Sequence, residues 1–372
     1  MKHPQLKSVH NKCGVFMSLQ NKFFKFHDAI LLGIKDVAYN TARLKDDSIL
    51  KEIKARFKED GFPVIDDFIQ GSMATDTGIR EKGQDFDIDR AIVIEASLAP
   101  ENPITPKKAV LEVLEDRGFK NAKIKKPCVT ADYKTEDLHI DIPIYRRYEN
   151  GQYELAVGKA HSDEENRQWS PSAPRELIDW VTAYDDSAVY ASKKHDQYRR
   201  IVRYLKRWRN FTFSENVRRK IYSIGITVMV KKSLVVSIND EGFPDDLSAL
   251  RATIHHILND GGYFSLIEAE KYKVKVDIPV SHTRDIFDNS SITTGTQFRN
   301  QLAALLKTLD NVADEDSESK QCELLRKVFG EDFPEHASTS TASAVSTASV
   351  AASAGANTVY ASSGAVGTSQ GA

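Results

Sequence analysis

The stretch "GSMATDTGIREKGQDFDID", residues 71–89, contains the residues that indicate both the fold and a candidate functional site. It opens with a Gly-Ser turn and leads into "RAIVIE", an apolar run whose β-branched content is typical of a strand. Asp85, Asp87 and Asp89 stand at every second position, so neighbouring pairs project from one face of that strand. Like charges a few Å apart repel unless a cation lies between them. The spacing therefore predicts a divalent metal site.

A further carboxylate, Asp141, lies within the apolar segment "LHIDIPIY". Burying an unpaired charge among apolar residues is costly, so Asp141 indicates a function rather than a chance polar position. If its strand lies beside the first, the carboxylates complete a site for two ions about 3.5–4 Å apart. Two registers satisfy the spacing, Asp85 with Asp87 and Asp87 with Asp89.

The Gly-Ser turn has the features that a triphosphate requires. Gly71 allows the backbone to approach a ligand closely, and Ser72 offers a hydroxyl and an N–H to phosphate oxygens. A strand ending in Gly-Ser, a D-x-D strand soon afterwards and a lone aspartate in a later strand together indicate nucleotidyl transfer.

Composition narrows the class of protein. The 372 residues are 41% hydrophobic and 28% charged, with a formal net charge of −2, which is an ordinary globular balance. The three cysteines, Cys13, Cys128 and Cys322, have neither zinc-site nor disulfide spacing. This favours a location in the reducing cytoplasm. We expect no signal peptide and no membrane span.

The order of patterns predicts an α+β architecture. N-terminal helices over 1–60 are expected to pack on both lobes, a β-rich catalytic core to span 61–168, and a helical lobe to span 169–335. The low-complexity residues 336–372 are expected to be disordered.

Further segments carry a resemblance to a known family: "QGSMATDT", "DFDID", "HIDIPIY", "WSPSAPRELIDW", "RRIVRYLKRWRN", "YSIGITVMV" and "KVFGEDFP". Over roughly residues 60–335 the chain resembles the polymerase-β-like nucleotidyltransferases. In its details it resembles the bacterial cGAS/DncV-like enzymes, which make cyclic oligonucleotide signals in anti-phage defence (CBASS). The resemblance implies a two-lobed fold, in which a mixed sheet with helices precedes a helical lobe of the oligoadenylate-synthetase type.

The resemblance also implies site residues. The implied ligands of two Mg²⁺ ions, for which Mn²⁺ can substitute, are Asp87, Asp89 and Asp141; this register places the apolar Phe86 just before the first ligand. Asp141 should also help to activate the attacking hydroxyl. The implied nucleotide-binding residues are Gln70, Gly71, Ser72, Thr75, Ser172, Lys206 and Ser223, with Lys206 meeting the triphosphate.

Some positions depart from the family pattern or are expected to be structural. Arg90 follows Asp89 where many relatives carry Asp or a small aliphatic residue, and Thr130 stands where the cyclic GMP-AMP branch has an arginine. His139 shares a strand face with Asp141, yet we expect a packed or exposed histidine. Most basic residues of "RRIVRYLKRWRN" are expected to be solvated. No zinc-ribbon insert is found, so no nucleic-acid activator is expected.

The resemblance gives the end of the chain a role as well. The chain ends in Gly371-Ala372, and in related systems an E1/E2-like enzyme conjugates such a C-terminus to other molecules. We therefore expect conjugation through Ala372.

The sequence as a whole predicts a Mg²⁺-dependent synthase that joins ribonucleoside triphosphates, ATP among them, into a cyclic second messenger acting on a downstream effector. Two alternatives stay open: transfer of a nucleotide to a protein or small molecule, and a non-catalytic nucleotide-binding scaffold. The bases, the ring size and the linkage are not determined by the sequence.

Overall fold

The structure, a computed structural model, describes residues 19–33, 37–80, 86–119, 121–133 and 138–336. These residues form an eight-stranded mixed sheet flanked by helices and, after it in the chain, a helical lobe. The predicted α+β class is confirmed. Asp85, Ala372 and most of the low-complexity segment lie outside the described residues.

Ten strands are described. Their bounds are β1 Val64–Ile69, β2 Phe86–Glu95, β3 Lys123–Ile124, β4 Val129–Tyr133, β5 Leu138–Ile142, β6 Ile144–Arg147, β7 Tyr153–Val157, β8 Gln168–Ser172, β9 Phe264–Glu268 and β10 Lys271–Val274. The large sheet has the order β3-β4-β5-β2-β6-β7-β8, and β1 pairs with β2. The β9–β10 hairpin forms a separate two-stranded sheet within the predicted helical lobe, where the sequence pattern had indicated only helices.

The helices surround this sheet or build the second lobe. Their bounds are α1 at residues 19–30, α2 Val37–Glu59, α3 Gly71–Ala74, α4 Ile104–Asp116, α5 Pro174–Thr182, α6 Ala191–Thr212, α7 Glu215–Arg218, α8 Ser223–Ser233, α9 Asp246–Asn259, α10 Ile292–Asp314 and α11 Glu318–Phe329. In the described ranges, no helix is long and apolar enough to cross a membrane.

Strand β2 is the centre of the sheet because three strands pair with it. It is antiparallel to β1 and parallel to both β5, along its first half, and β6, along its second. Pro143 separates β5 from β6, as expected for a residue that cannot donate to a ladder. Ile88, Ile92 and Ile94 belong to the apolar core between the sheet and the helices α2 and α4. The alternate residues of β2 therefore face the other side.

The first two helices join different cores. Phe23 and Phe26 of α1 are fully buried with α6 and α11 in the core of the helical lobe. Ile53 and Phe57 of α2 are buried in the core beneath the sheet. The N-terminal segment thus packs against both parts of the chain.

None of the basic residues of "RRIVRYLKRWRN" on α6 is exposed, so the expectation that most of them are solvated is wrong. Arg200, Arg203 and Lys206 are buried. The Arg200 guanidinium donates to both carboxylate oxygens of Asp246, at 2.6 and 2.8 Å, and Asp246 is fully buried. A cation can be buried when it is paired and hydrogen-bonded, and a one-dimensional pattern does not show such partners.

His27 on α1 makes the helical lobe sensitive to acid. Burial, together with the positive charges of Arg203 and Arg200, lowers the pKa of His27 to about 4, although Asp28 acts in the opposite direction. Its Nε2 atom lies 3.1 Å from an Arg203 nitrogen. Below about pH 6.5 the unfolded chain takes up a proton that the folded chain binds only near pH 4, so stability falls as the pH decreases through this window.

Between pH 7 and pH 5 the unfolding free energy of the parent should fall, and in the His27→Gln variant this fall should be smaller by about 1–2 kcal/mol. Urea unfolding at the two pH values measures the difference. The His255→Gln variant is the control, because it removes a histidine that is exposed at the protein surface. Identical slopes for all three proteins would contradict the assignment to His27.

Candidate active site

The three predicted carboxylates occupy neighbouring strands. In the parallel pairing of β2 with β5, Asp89 is the register partner of Asp141, and Asp87 is the partner of His139. Register partners on adjacent strands project from the same face. The structure therefore brings Asp87, Asp89 and Asp141 to one face of the sheet, on the side away from the core beneath it.

The Gly-Ser turn lies directly against this cluster. Gly71 has a φ of 66°, which favours glycine, and a Cβ atom at this position would overlap the Asp89 carboxylate. The Gln70 N–H donates to the Asp89 carbonyl at 2.9 Å, and the Gln70 side chain accepts from the Tyr145 hydroxyl at 3.1 Å. Ser72 follows, half-buried, in the single turn of α3.

The pKa of Asp89 is strongly shifted by its surroundings. Burial, and then the negative charges of Asp141 and Asp87, raise the pKa of Asp89 to about 8. A pKa raised by neighbouring carboxylates indicates that the protein leaves their charge incompletely compensated. A bound cation would supply this compensation.

Asp141 is held by groups that the sequence did not assign to the site. Its Oδ1 atom lies 3.1 Å from His139 Nε2 and 3.6 Å from the Lys125 ammonium. Burial raises the pKa of this carboxyl, but the hydrogen bond and charge of His139 and the charge of Lys125 outweigh it, and the pKa is lowered. Lys125 reaches Asp141 from the turn between β3 and β4. In the sequence it is one of several lysines in "KIKK", and nothing in that pattern indicates which of them lies near the carboxylates.

His139 is part of the site rather than an unrelated packed histidine. Its Nδ1 contacts Asp132, and its Nε2 also lies 2.7 Å from the Thr130 hydroxyl. Burial opposes the imidazolium, yet the hydrogen bond to Asp141 and the charges of Asp141 and Asp87 raise the pKa of His139 to about 9. In the sequence, only the i, i+2 spacing to Asp141 indicates that His139 belongs to the site. The pairing of β4 with β5 brings Asp132 and Thr130 next to His139.

The donor set suits a hard divalent cation. Carboxylate oxygens are the ligands that Mg²⁺ prefers, and Asp89 with Asp141 presents them on adjacent strands. Within the part of the chain that the structure describes, no three His, Cys, Asp or Glu side chains converge on a common point. Asp141 Oδ1 faces His139 and Lys125 in this structure.

The segment after the turn is held by α6. Lys206 is buried, and its ammonium donates to the Thr77 carbonyl and hydroxyl, both at 3.0 Å. Burial, and then the charges of Arg209 and Arg203, lower the pKa of Lys206 to about 7. Lys206 is thus connected to the Gly-Ser turn through Thr77, and its contact with the triphosphate stays a prediction.

Two other predicted nucleotide contacts, Thr75 and Ser223, have different surroundings. Thr75 is buried, and its hydroxyl donates to the Gly71 carbonyl at 3.1 Å, inside the turn. Ser223 is the first residue of α8, and its hydroxyl accepts from Arg209, on the helix of Lys206, at 2.7 Å. In this structure both hydroxyls therefore form hydrogen bonds within the protein.

Ser172 lies apart from the carboxylates. It pairs with Tyr153, which pairs with Arg147, which in turn pairs with Glu95 of β2. Ser172 is therefore three strands from β2 and six residues along from the level of Asp89. The pairing does not bring this serine to the cluster.

Arg90, the departure that directly follows Asp89, is buried beneath the sheet. Its guanidinium donates to Asp46 at 2.9 Å and Asp47 at 2.6 Å, both on α2, and to Asp67 of β1 at 2.9 Å. The position that differs from the family pattern thus ties the strand of Asp89 to α2 and β1.

Comparison with known proteins points to one family. Residues 66–145, which contain the turn and all three carboxylates, match the model of the cyclic GMP-AMP synthase DncV-like nucleotidyltransferase domain. A cyclic GMP-AMP synthase of Escherichia albertii is 26% identical over 220 residues, which is 56% of this chain and 46% of that protein. The match thus spans less than half the length of this relative.

Solved structures show the same fold. Escherichia coli CdnC with ATP aligns with a TM-score of 0.57 and 17% identity, over 84% of this chain and 98% of that one. The Vibrio cholerae cyclic AMP-GMP synthase DncV, in complex with a linear pppApG intermediate, aligns with a TM-score of 0.53 and 20% identity, over 72% of this chain and 69% of that one. The two-lobed architecture with a helical second lobe is confirmed.

Proposed function

We propose that this chain, whose residues 66–145 form a DncV-like nucleotidyltransferase domain, is a cyclic oligonucleotide synthase. It joins ribonucleoside triphosphates, releases pyrophosphate and closes the product into a cyclic di- or trinucleotide. The observation that carries the proposal is the placement of Asp89 against Gly71 and beside Asp141 in register. A triphosphate at the turn would then meet the acceptor hydroxyl at the carboxylates.

The site residues have distinct proposed roles. Gly71 and Ser72, with Gln70 beside them, receive the donor triphosphate, and Lys206 approaches it from α6. Asp87, Asp89 and Asp141 are the oxygen ligands for two Mg²⁺ ions, which when bound lower the barrier by stabilising charge on the attacking and leaving oxygens. Asp141 orients the acceptor hydroxyl, and His139 fixes the Asp141 carboxylate through Oδ1.

The resemblance and the similar structures support the choice of product class. DncV is described as a cyclic AMP-GMP synthase, and its structure holds a linear pppApG intermediate. CdnC is described with ATP. From these descriptions we extend to this chain the use of purine ribonucleoside triphosphates. The resemblance in the sequence alone supports two further parts of the proposal, a product read by a downstream effector in anti-phage defence and conjugation of Ala372 by an E1/E2-like enzyme.

Turnover of the full chain with the four ribonucleoside triphosphates and Mg²⁺ tests the proposal. The expected product resists phosphatase, has the mass of a closed ring and is absent when EDTA replaces the metal. A nucleotide attached to an added protein or small molecule instead would favour the alternative transferase. Absence of both triphosphate binding and pyrophosphate release would contradict any nucleotidyltransferase function.

A further inference from the structure

The segment that follows the Gly-Ser turn, residues 75–80, is attached to the helical lobe. Leu32 donates its N–H to the Gly78 carbonyl at 3.3 Å, and the Arg80 N–H donates to the Ile30 carbonyl at 2.7 Å, so the segment pairs with the end of α1. On its other side it meets α6. The residues that directly follow the turn, up to Arg80, thus depend for their position on α1 and α6, which pack in the core of the helical lobe.

Asp76 is the charged anchor of this segment. It has a φ of 48°, a left-handed conformation that aspartate adopts more readily than most residues. The Arg203 guanidinium donates to Asp76 Oδ1 at 2.6 Å and to the Asp76 carbonyl at 2.7 Å, and Arg199 lies 3.1 Å from Oδ2. Arg203 is almost fully buried, whereas the Asp76 side chain is half exposed, so the anchor lies at the edge of the lobe interface.

The anchored segment holds the backbone of the turn. The Thr77 N–H donates to the Ser72 carbonyl at 2.9 Å, and the Thr77 and Thr75 hydroxyls lie 2.9 Å apart. Thr75 in turn donates to the Gly71 carbonyl. Hydrogen bonds from Arg203 to Asp76, the peptide bond from Asp76 to Thr77, and hydrogen bonds from Thr77 and Thr75 therefore connect α6 to the two residues that are proposed to receive the triphosphate.

We propose that Asp76 is a positioning residue for the triphosphate. By fastening the segment to Arg203 and Arg199 of α6, it sets the Gly71–Ser72 turn against the second lobe, so that the β- and γ-phosphates bind in one orientation. This inference rests on the proposed function, because it assigns the turn to a nucleoside triphosphate. Asp76 acts through the turn and needs no contact with the nucleotide.

The Asp76→Asn variant of the full chain tests the inference with α,β-methylene-ATP, a non-reacting triphosphate, as the probe. Groups that orient metal ligands from the outer shell typically contribute 10- to 100-fold, and on the same scale we expect the affinity for this analogue to fall about tenfold. AMP, which lacks the β- and γ-phosphates, should bind as it does to the parent. Asparagine also tolerates the left-handed backbone, so the melting temperature should stay close to that of the parent.

Asp196→Asn is the matched control. Asp196 also lies 3.4 Å from Arg199, but both residues are on α6, so this contact does not connect α6 to the segment after the turn. This variant should bind the analogue and AMP as the parent does. Equal analogue affinities for Asp76→Asn and Asp196→Asn would overturn the inference.

A second variant covers the case in which Asp76→Asn does not fold. Arg199→Gln removes the partner of Asp76 Oδ2 at a partly exposed position, and it should weaken analogue binding without affecting AMP. If it leaves analogue affinity unchanged, the inference fails. Cyclic product formation by the parent reports separately on the proposed function, so the two can fail independently.

Discussion

The Asp89→Asn variant is expected to lose nucleotidyl transfer, with turnover lower by on the order of a thousandfold or more. Asparagine preserves the size of the side chain but removes the charge that a divalent cation needs. Asp89 is the carboxylate that lies against Gly71 and beside Asp141, so no neighbouring group replaces it. Pyrophosphate release with saturating triphosphates and Mg²⁺ measures the loss.

The same change should not destabilise the protein. The pKa of Asp89 is raised to about 8 by burial and by Asp141 and Asp87, so its ionised form is unfavourable in the folded chain without a cation. Because the folded-state pKa lies above the unfolded one, this cost is absent below about pH 4 and grows as the pH rises toward 8. The melting temperature of Asp89→Asn at pH 8 without metal should therefore equal or exceed that of the parent.

Asp85→Asn is the matched control for the choice of register. Both variants change an aspartate of the same "DFDID" motif. If Asp87 and Asp89 are the ligands, Asp85→Asn should retain turnover within a fewfold of the parent. Loss of activity in Asp85→Asn with retention in Asp89→Asn would show that the earlier pair, Asp85 and Asp87, binds the metal.

The Lys107→Met variant is expected to cause the largest loss of stability, about 3 kcal/mol. Lys107 lies on α4 and is fully buried, and its ammonium donates to the carbonyls of Lys125, Lys126 and Gly158 at 2.8–2.9 Å. Methionine fills a similar volume without a donor, so buried carbonyl oxygens lose a hydrogen bond. Denaturant unfolding of the parent and the variant measures the difference.

Lys108→Met provides the comparison, because the adjacent lysine is exposed. A surface substitution of this kind should change the unfolding free energy by less than about 0.5 kcal/mol. Equal effects of the two substitutions would show that the three carbonyls do not depend on Lys107. Since Lys125 carries the ammonium that lies near Asp141, Lys107→Met should also reduce turnover.

His139 and the α6 cations show why part of the site could not be predicted. The sequence indicated that His139 shares a face with Asp141, but a single strand does not reveal whether a neighbouring strand places an acceptor next to it. Asp132 supplies that acceptor through the antiparallel register of β4 with β5. In the same way, Arg203 is buried because Asp76, far away in sequence, lies opposite it.

The sequence by itself determined the elements that depend on local order: the Gly-Ser turn, the alternation that puts Asp87 and Asp89 on one face, and the apolar strand that contains Asp141. These follow from periodicity and backbone preference, which neighbouring residues set. Only the tertiary structure decided which residues surround them. It placed Asp89 against Gly71, turned Asp141 toward Lys125 and His139, and left Ser172 three strands from β2. Burial and charge pairing depend on residues far apart in the chain, and strand register and helix docking determine them.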